Sequence, residues 1–165
     1  MMILPSYRQT SFLLFLVPTL LLSFGYYLQF VEGLEPCPLC MTQRICFYLV
    51  AIFGLIGTAP LQGVLARRLV AALGVLAAIT GLGVAGRQLW LQSLPEDQVP
   101  ACGPSFEYVI ESFPILEAVE IMFRGNGNCA VVDWTFLGVS IAGWSFAAFL
   151  ALFAITLWQL LRRPH

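Results

Sequence analysis

The sequence contains no lysine, and its one histidine is the C-terminal His165. Charged residues of either sign make up only 10% of the chain, against about 25% in soluble domains. Each scarcity excludes something. There is no basic stripe to follow a phosphate backbone, so a nucleic-acid partner is not expected. Five cysteines among 165 residues are too few for a disulfide scaffold, but they suffice for redox chemistry.

Apolar length is what the sequence has instead. Hydrophobic residues make up 59% of it, more surface than so few charges could cover in water, which makes lipid the expected solvent. The charges divide the chain into long uncharged runs: Gln9 to Val31, Ile45 to Ala66, Leu69 to Gly86 and Trp134 to Leu161. A helix rising 1.5 Å per residue needs roughly 20 apolar residues to cross a bilayer. The third run is short, but Arg87 can snorkel and Leu89 to Leu91 continue the pattern. The expectation is a single all-α membrane domain over 1–165, a four-helix transmembrane bundle. Its spans are at roughly 10–31, 42–65, 69–91 and 136–161, with loops at 32–41 and 92–135. The weak basic start and the lack of a cleavage site after Phe24 favour an uncleaved first span over a signal peptide.

Arginine sets the expected orientation. Arg8, Arg67, Arg68, Arg162 and Arg163 flank the spans on one side, and all nine acids lie on the other. The positive-inside rule puts both termini in the cytoplasm and both loops outside, in a bacterium the periplasm, where disulfides persist.

Four cysteines fall on that outer side, Cys37, Cys40, Cys102 and Cys129, while Cys46 lies within the second span as a small apolar residue. Pro36 and Pro38 keep helix from starting before the Cys37-Pro38-Leu39-Cys40 motif, and Pro38 suits a first helical turn. Cys40 then sits where a helix N-terminus favours a thiolate, and Arg44 lies one turn further on the same face. A redox-active pair is the leading reading. A structural bridge over so short a loop stabilises little, and a metal site wants a second close pair. Cys102 and Cys129 stand beside turn formers. Bridged permanently, they would close a long loop worth roughly 3–4 kcal/mol; yet the Gly-Asn surroundings of Cys129 suit an exchanging thiol, and both readings stay open. Between them, Ile115, Leu116, Val119, Met122 and Phe123 form one face of a short amphipathic helix. It either floats on the membrane surface or packs on the bundle.

These features in this order resemble the disulfide bond formation protein B (DsbB) family over nearly the whole chain. The resemblance rests on four spans, a CxxC opening the second with Arg44 behind it, and a cysteine pair in the second outer loop. The stretch Asp133-Trp134-Thr135-Phe136-Leu137-Gly138, followed by Trp144, adds to it. It implies a protein-dithiol:quinone oxidoreductase of the bacterial inner membrane that reoxidises the periplasmic thiol oxidase DsbA. It implies disulfides Cys37–Cys40 and Cys102–Cys129, with Cys102 attacked by DsbA and Cys129 its partner. Cys37 and Cys40 would reoxidise that pair, with Cys40 meeting the quinone, ubiquinone or menaquinone, and Arg44 supporting the charge. Gln43 and Arg87 are further candidates at the quinone site. The histidine that some members carry near the end of the third span is replaced here by Arg87-Gln88-Leu89-Trp90. Two rivals are a vitamin K epoxide reductase-like enzyme, whose CxxC lies in a late helix, and a non-enzymatic membrane protein with structural disulfides. The second predicts a polar pathway that these spans do not offer.

Overall fold

The computed structural model describes residues 6–60, 63–104 and 106–162; Arg163 and His165 lie outside them. Four helices are long and apolar enough to cross a membrane: α1 (Tyr7–Phe30), α2 (Pro38–Thr58), α3 (Val64–Gln92) and α6 (Ile141–Leu161). Between α3 and α6 lie α4 (Phe106–Ser112), α5 (Ile115–Arg124) and a two-stranded hairpin, β1 (Thr135–Phe136) with β2 (Val139–Ser140).

Local chemistry sets where these helices begin. Ser6 caps α1 by accepting from the Gln9 amide, and the Gln9 side chain accepts from the Ser6 N–H in return, a capping box. Cys37 caps α2, accepting from the Cys40 amide through its sulfur, with Pro38 at the first helical position. The helix therefore starts at the motif, several residues before the expected 42. Conversely, α6 starts at 141, later than the expected 136. Ser140 caps it by accepting from Gly143 N–H, and residues 135–140 are taken up by the hairpin. At the hairpin tip Leu137 and Gly138 both have positive φ, 52° and 76°, as a two-residue turn joining right-twisted strands requires. Trp144 pins the hairpin by donating to the Phe136 carbonyl at 3.1 Å.

In the bundle α2 packs on α1 and α3, and α3 packs on α6, while α1 and α6 barely touch. Small residues allow the close crossings. A Cβ on Gly54 would stand 2.6 Å from the Phe15 backbone nitrogen, and one on Gly81 would stand 2.2 Å from the Phe149 ring. Phe149 in turn stacks on Phe47 with ring centroids 4.0 Å apart. Cys46 is buried in this core beside Phe47 and Val50, as a small apolar residue. At one end of the bundle the Tyr7 hydroxyl donates to the Arg67 carbonyl and Arg8 Nε to the Thr58 carbonyl, each at 3.1 Å. The described arginines of the expected cytoplasmic face thus meet there, and the CxxC lies at the opposite end.

At the thiol end α5 lies across the start of α2, where the Thr42 hydroxyl approaches the Met122 carbonyl at 3.4 Å. Its buried position is Ala118, while Ile115 and Leu116 are 82% and 86% exposed. Most of the apolar stripe read from the sequence thus faces outward.

Candidate active site

Three of the four outer cysteines converge. Cys37, at the α2 N-cap, and Cys40, in its first turn, bring their sulfurs to 2.8 Å. Cys129 reaches them from the loop. It closes a tight turn, Gly127–Cys129, by donating its N–H to the Asn126 carbonyl at 3.0 Å, and it is completely buried. Gly125, at φ 72°, lets the chain approach Leu39 and Leu91, where any side chain would collide. These two leucines, Val84, Cys37 and Cys129 form one apolar cluster, so packing on α2 and α3 holds the loop sulfur against the motif.

All five cysteines are free in the structure. The Cys37–Cys40 sulfurs are in contact but well beyond the bond length of about 2.05 Å, and no bond joins Cys102 to Cys129. Cys129 packs with Cys37 in that apolar cluster, its thiol donating to Asn126 Oδ1 at 3.9 Å, and Cys102 is exposed. The two loop segments still run side by side. Gly127 N–H donates to the Ala101 carbonyl at 3.1 Å, and Asn128 Nδ2 donates to the Gly103 carbonyl at 3.3 Å.

The sulfurs outside the spans are electrostatically distinct. Cys37 is pushed far above the ordinary thiol range, first by donating to Cys129, then by donating to Cys40 and by burial. Cys129 is held down to about 6. The hydrogen bond from Cys37 lowers it most, burial opposes, and the backbone amides of Asn126 and Leu39 lower it further. Negative charge therefore prefers Cys129 to Cys37 when both are reduced.

Beside the motif opens a cavity of about 860 Å³, bounded mainly by α1, α2, α6 and the segment leading to the hairpin. Its wall is mostly apolar and includes Phe24, Trp134, Phe136 and Trp144, with Cys37, Cys40 and Arg44 among its few polar members. It lies between α1 and α6, whose few contacts include the Gln159 bonds to Tyr7 and Ser11 at the opposite end of the bundle. α1 holds the Arg44 guanidinium. One nitrogen donates to Gln29 Oε1, the other donates to the Gly25 carbonyl at 3.1 Å, and the group lies 4.7 Å over the Tyr26 ring. No ion pair to Arg44 forms among the described residues, so its charge is not cancelled by a carboxylate.

The other two quinone-site candidates are placed differently. Gln43 lines the cavity, but its amide nitrogen donates to Gln88 Oε1 at 2.6 Å. Arg87 is not on the cavity wall. It stacks 4.3 Å over the Trp90 ring and donates to the Arg124 carbonyl at the end of α5, at 3.4 Å. Its long side chain ties α3 to the loop. Gln29, Tyr26 and Gln88 were not singled out from the sequence as site residues. The available signal for Gln88 was a polar side chain within an apolar span.

Two kinds of comparison place the chain among known proteins. The family model for disulfide bond formation protein DsbB matches residues 7–159. A disulfide bond formation protein B of Saccharophagus degradans is 48% identical over 97% of this chain and 96% of its own length. Its counterpart in Nitrosococcus oceani is 46% identical over 94% and 92%, and that of Acinetobacter baumannii 45% over 95% and 92%. A CxxC capping α2, a loop cysteine packed against it and a match over nearly the whole length agree: the chain belongs to the DsbB family of disulfide bond formation proteins, as a multi-pass membrane member.

Proposed function

We propose that this chain is a protein-dithiol:quinone oxidoreductase of the bacterial inner membrane, with both termini cytoplasmic, that reoxidises a DsbA-type periplasmic thiol oxidase. The single observation that carries this reading is the row Cys129–Cys37–Cys40, whose last sulfur lines a mostly apolar cavity that the Arg44 side chain also lines.

Thiol exchange along the row balances at each step. A thiolate of the reduced partner attacks Cys102 of the oxidised loop pair. A bond to the partner forms, the Cys102–Cys129 bond breaks, and its electron pair leaves on Cys129. Cys129 then attacks Cys37 of the oxidised motif; the Cys129–Cys37 bond forms, and the electron pair of the broken Cys37–Cys40 bond leaves on Cys40. The partner's second thiolate displaces Cys102 and releases the oxidised partner. Cys102 then attacks Cys129, which restores the loop pair and frees Cys37. The motif is left as a dithiol with two electrons to give up.

The cavity fits a lipid-dissolved quinone. Its wall is mostly apolar and rich in aromatic rings, and it carries the Arg44 side chain together with both motif cysteines. Ubiquinone, or menaquinone, supplies the two-electron, two-proton sink there. Cys40 presents the sulfur to it, Arg44 stabilises negative charge building on an oxygen beside it, and Trp134, Phe136 and Trp144 exclude water.

The test is turnover of the purified full chain with a reduced DsbA-type protein and a soluble ubiquinone analogue. Cys40→Ser is expected to abolish turnover; a Cys40→Ser chain that turns over normally would overturn the reading.

A further inference from the structure

Gln88 is buried on α3, 4% exposed, and its side-chain amide touches both motif sulfurs. Nε2 lies 3.3 Å from Cys40 Sγ and 3.5 Å from Cys37 Sγ, and Oε1 lies 3.7 Å from Cys40 Sγ. Gln43, equally buried on α2, donates from its own Nε2 to Gln88 Oε1. In this arrangement Gln88 Oε1 is turned to Gln43 and the NH2 group faces the sulfurs.

We propose that Gln88 is a catalytic residue of the thiol chemistry, its amide N–H donating to Cys40 sulfur as that sulfur becomes the leaving thiolate, with Gln43 as the positioning residue that fixes the amide. The inference rests on the proposed function. In the step where Cys129 attacks Cys37, the electron pair of the Cys37–Cys40 bond departs on Cys40. No proton moves; the Gln88 N–H strengthens its hydrogen bond as charge arrives. Hydrogen bonds to a charged atom are about twice as strong as neutral ones, so the interaction is greater after bond cleavage than before, which is what accelerates a step. Arg44 and Gln88 both line the cavity, but Arg44 is held by α1, whereas Gln88 reaches the sulfurs from α3. A purely structural pair would satisfy two buried amides but leave the acidity of Cys40 alone.

The experiment uses the full chain with Cys40 as its only cysteine, made by Cys37→Ser, Cys46→Ser, Cys102→Ser and Cys129→Ser. The rate of alkylation of Cys40 by iodoacetamide is followed against pH in detergent. Gln88→Met keeps the length of the side chain and removes the donor. Its pH profile is expected to move to the alkaline side by about one to two units, roughly 10- to 100-fold slower alkylation at neutral pH. Gln43→Met is expected to move the profile the same way by a smaller amount, about three- to tenfold. A folded Gln88→Met chain with an unmoved profile overturns the proposal. If Gln88→Met does not fold, Gln43→Met decides it, and an unmoved profile there overturns it equally. Neither quinone nor partner enters this assay, so its failure is distinct from a failure of the quinone turnover that tests the proposed function.

Discussion

Cys37 caps α2 and also packs with Cys129 of the loop in one apolar cluster. The motif cysteine that starts the helix is therefore the one that meets the loop, and Cys40, one turn in, is left facing Gln88 and the cavity. The two thiols of the CxxC have different neighbours, and from them different work.

A first prediction concerns charge on that pair. In the reduced chain Cys129 is held down to about 6 chiefly by the Cys37 hydrogen bond, against about 8.5 for an ordinary thiol. Between those values the folded chain carries a thiolate where the unfolded chain carries a thiol. The folded state then binds fewer protons, so this group stabilises it as pH rises through the window, and that stability is lost as pH falls through about 6. Cys37, pushed up, acts oppositely: its stabilising effect is full below the ordinary thiol value and fades at higher pH. Thiolate absorbance of a chain with Cys40, Cys46 and Cys102 replaced by serine should disappear on acidification through about 6. Adding Cys37→Ala should move that midpoint up towards the ordinary value; an unmoved midpoint would contradict the assignment.

Arg44 should matter to one half of the reaction only. Arg44→Ala is expected to slow quinone reduction by about 100-fold, the scale for losing one preorganised stabiliser of developing charge. Disulfide exchange with the DsbA-type partner should stay largely intact. Gln29→Leu, which removes one of the bonds holding the guanidinium, should give the same pattern more weakly, by roughly five- to tenfold. Stopped-flow measurement of the two half-reactions checks both, and equal loss of both would contradict the role given to Arg44.

Two glycines separate close packing from open space. Gly54→Ala would drive a Cβ into the α1 backbone at Phe15 and Leu14, which cannot rotate away. It is expected to destabilise the bundle by about 1–3 kcal/mol. Gly83→Ala meets nothing within 4 Å and should be neutral or stabilise by up to about 1 kcal/mol. Thermal melting in one detergent compares the two directly.

The spans were legible because charge-free runs long enough to cross a bilayer leave few alternatives, and the motif was legible because Pro38 and Arg44 stand in fixed register with Cys40. The hairpin was not legible. Thr135-Phe136-Leu137-Gly138 reads as a continuation of an apolar run, and only the positive φ of a non-glycine, Leu137, turns it back. The turn residues beside the loop cysteines leave their state open, and the family resemblance implies their pairing. Their actual arrangement depends on Leu39 and Leu91 receiving Gly125, a contact between distant segments that no local pattern encodes. The role of Gln88 was not legible for the same reason: its meaning comes from the α2 residues opposite it.

The central claim is that electrons entering at the loop leave at the cavity. Its most direct measurement follows thiol loss from a reduced DsbA-type protein and loss of quinone absorbance together, in the presence of catalytic amounts of the purified chain. The account predicts one quinone reduced for each dithiol oxidised, with both signals abolished by Cys40→Ser. Thiol loss that proceeds while the quinone absorbance stays constant would contradict it.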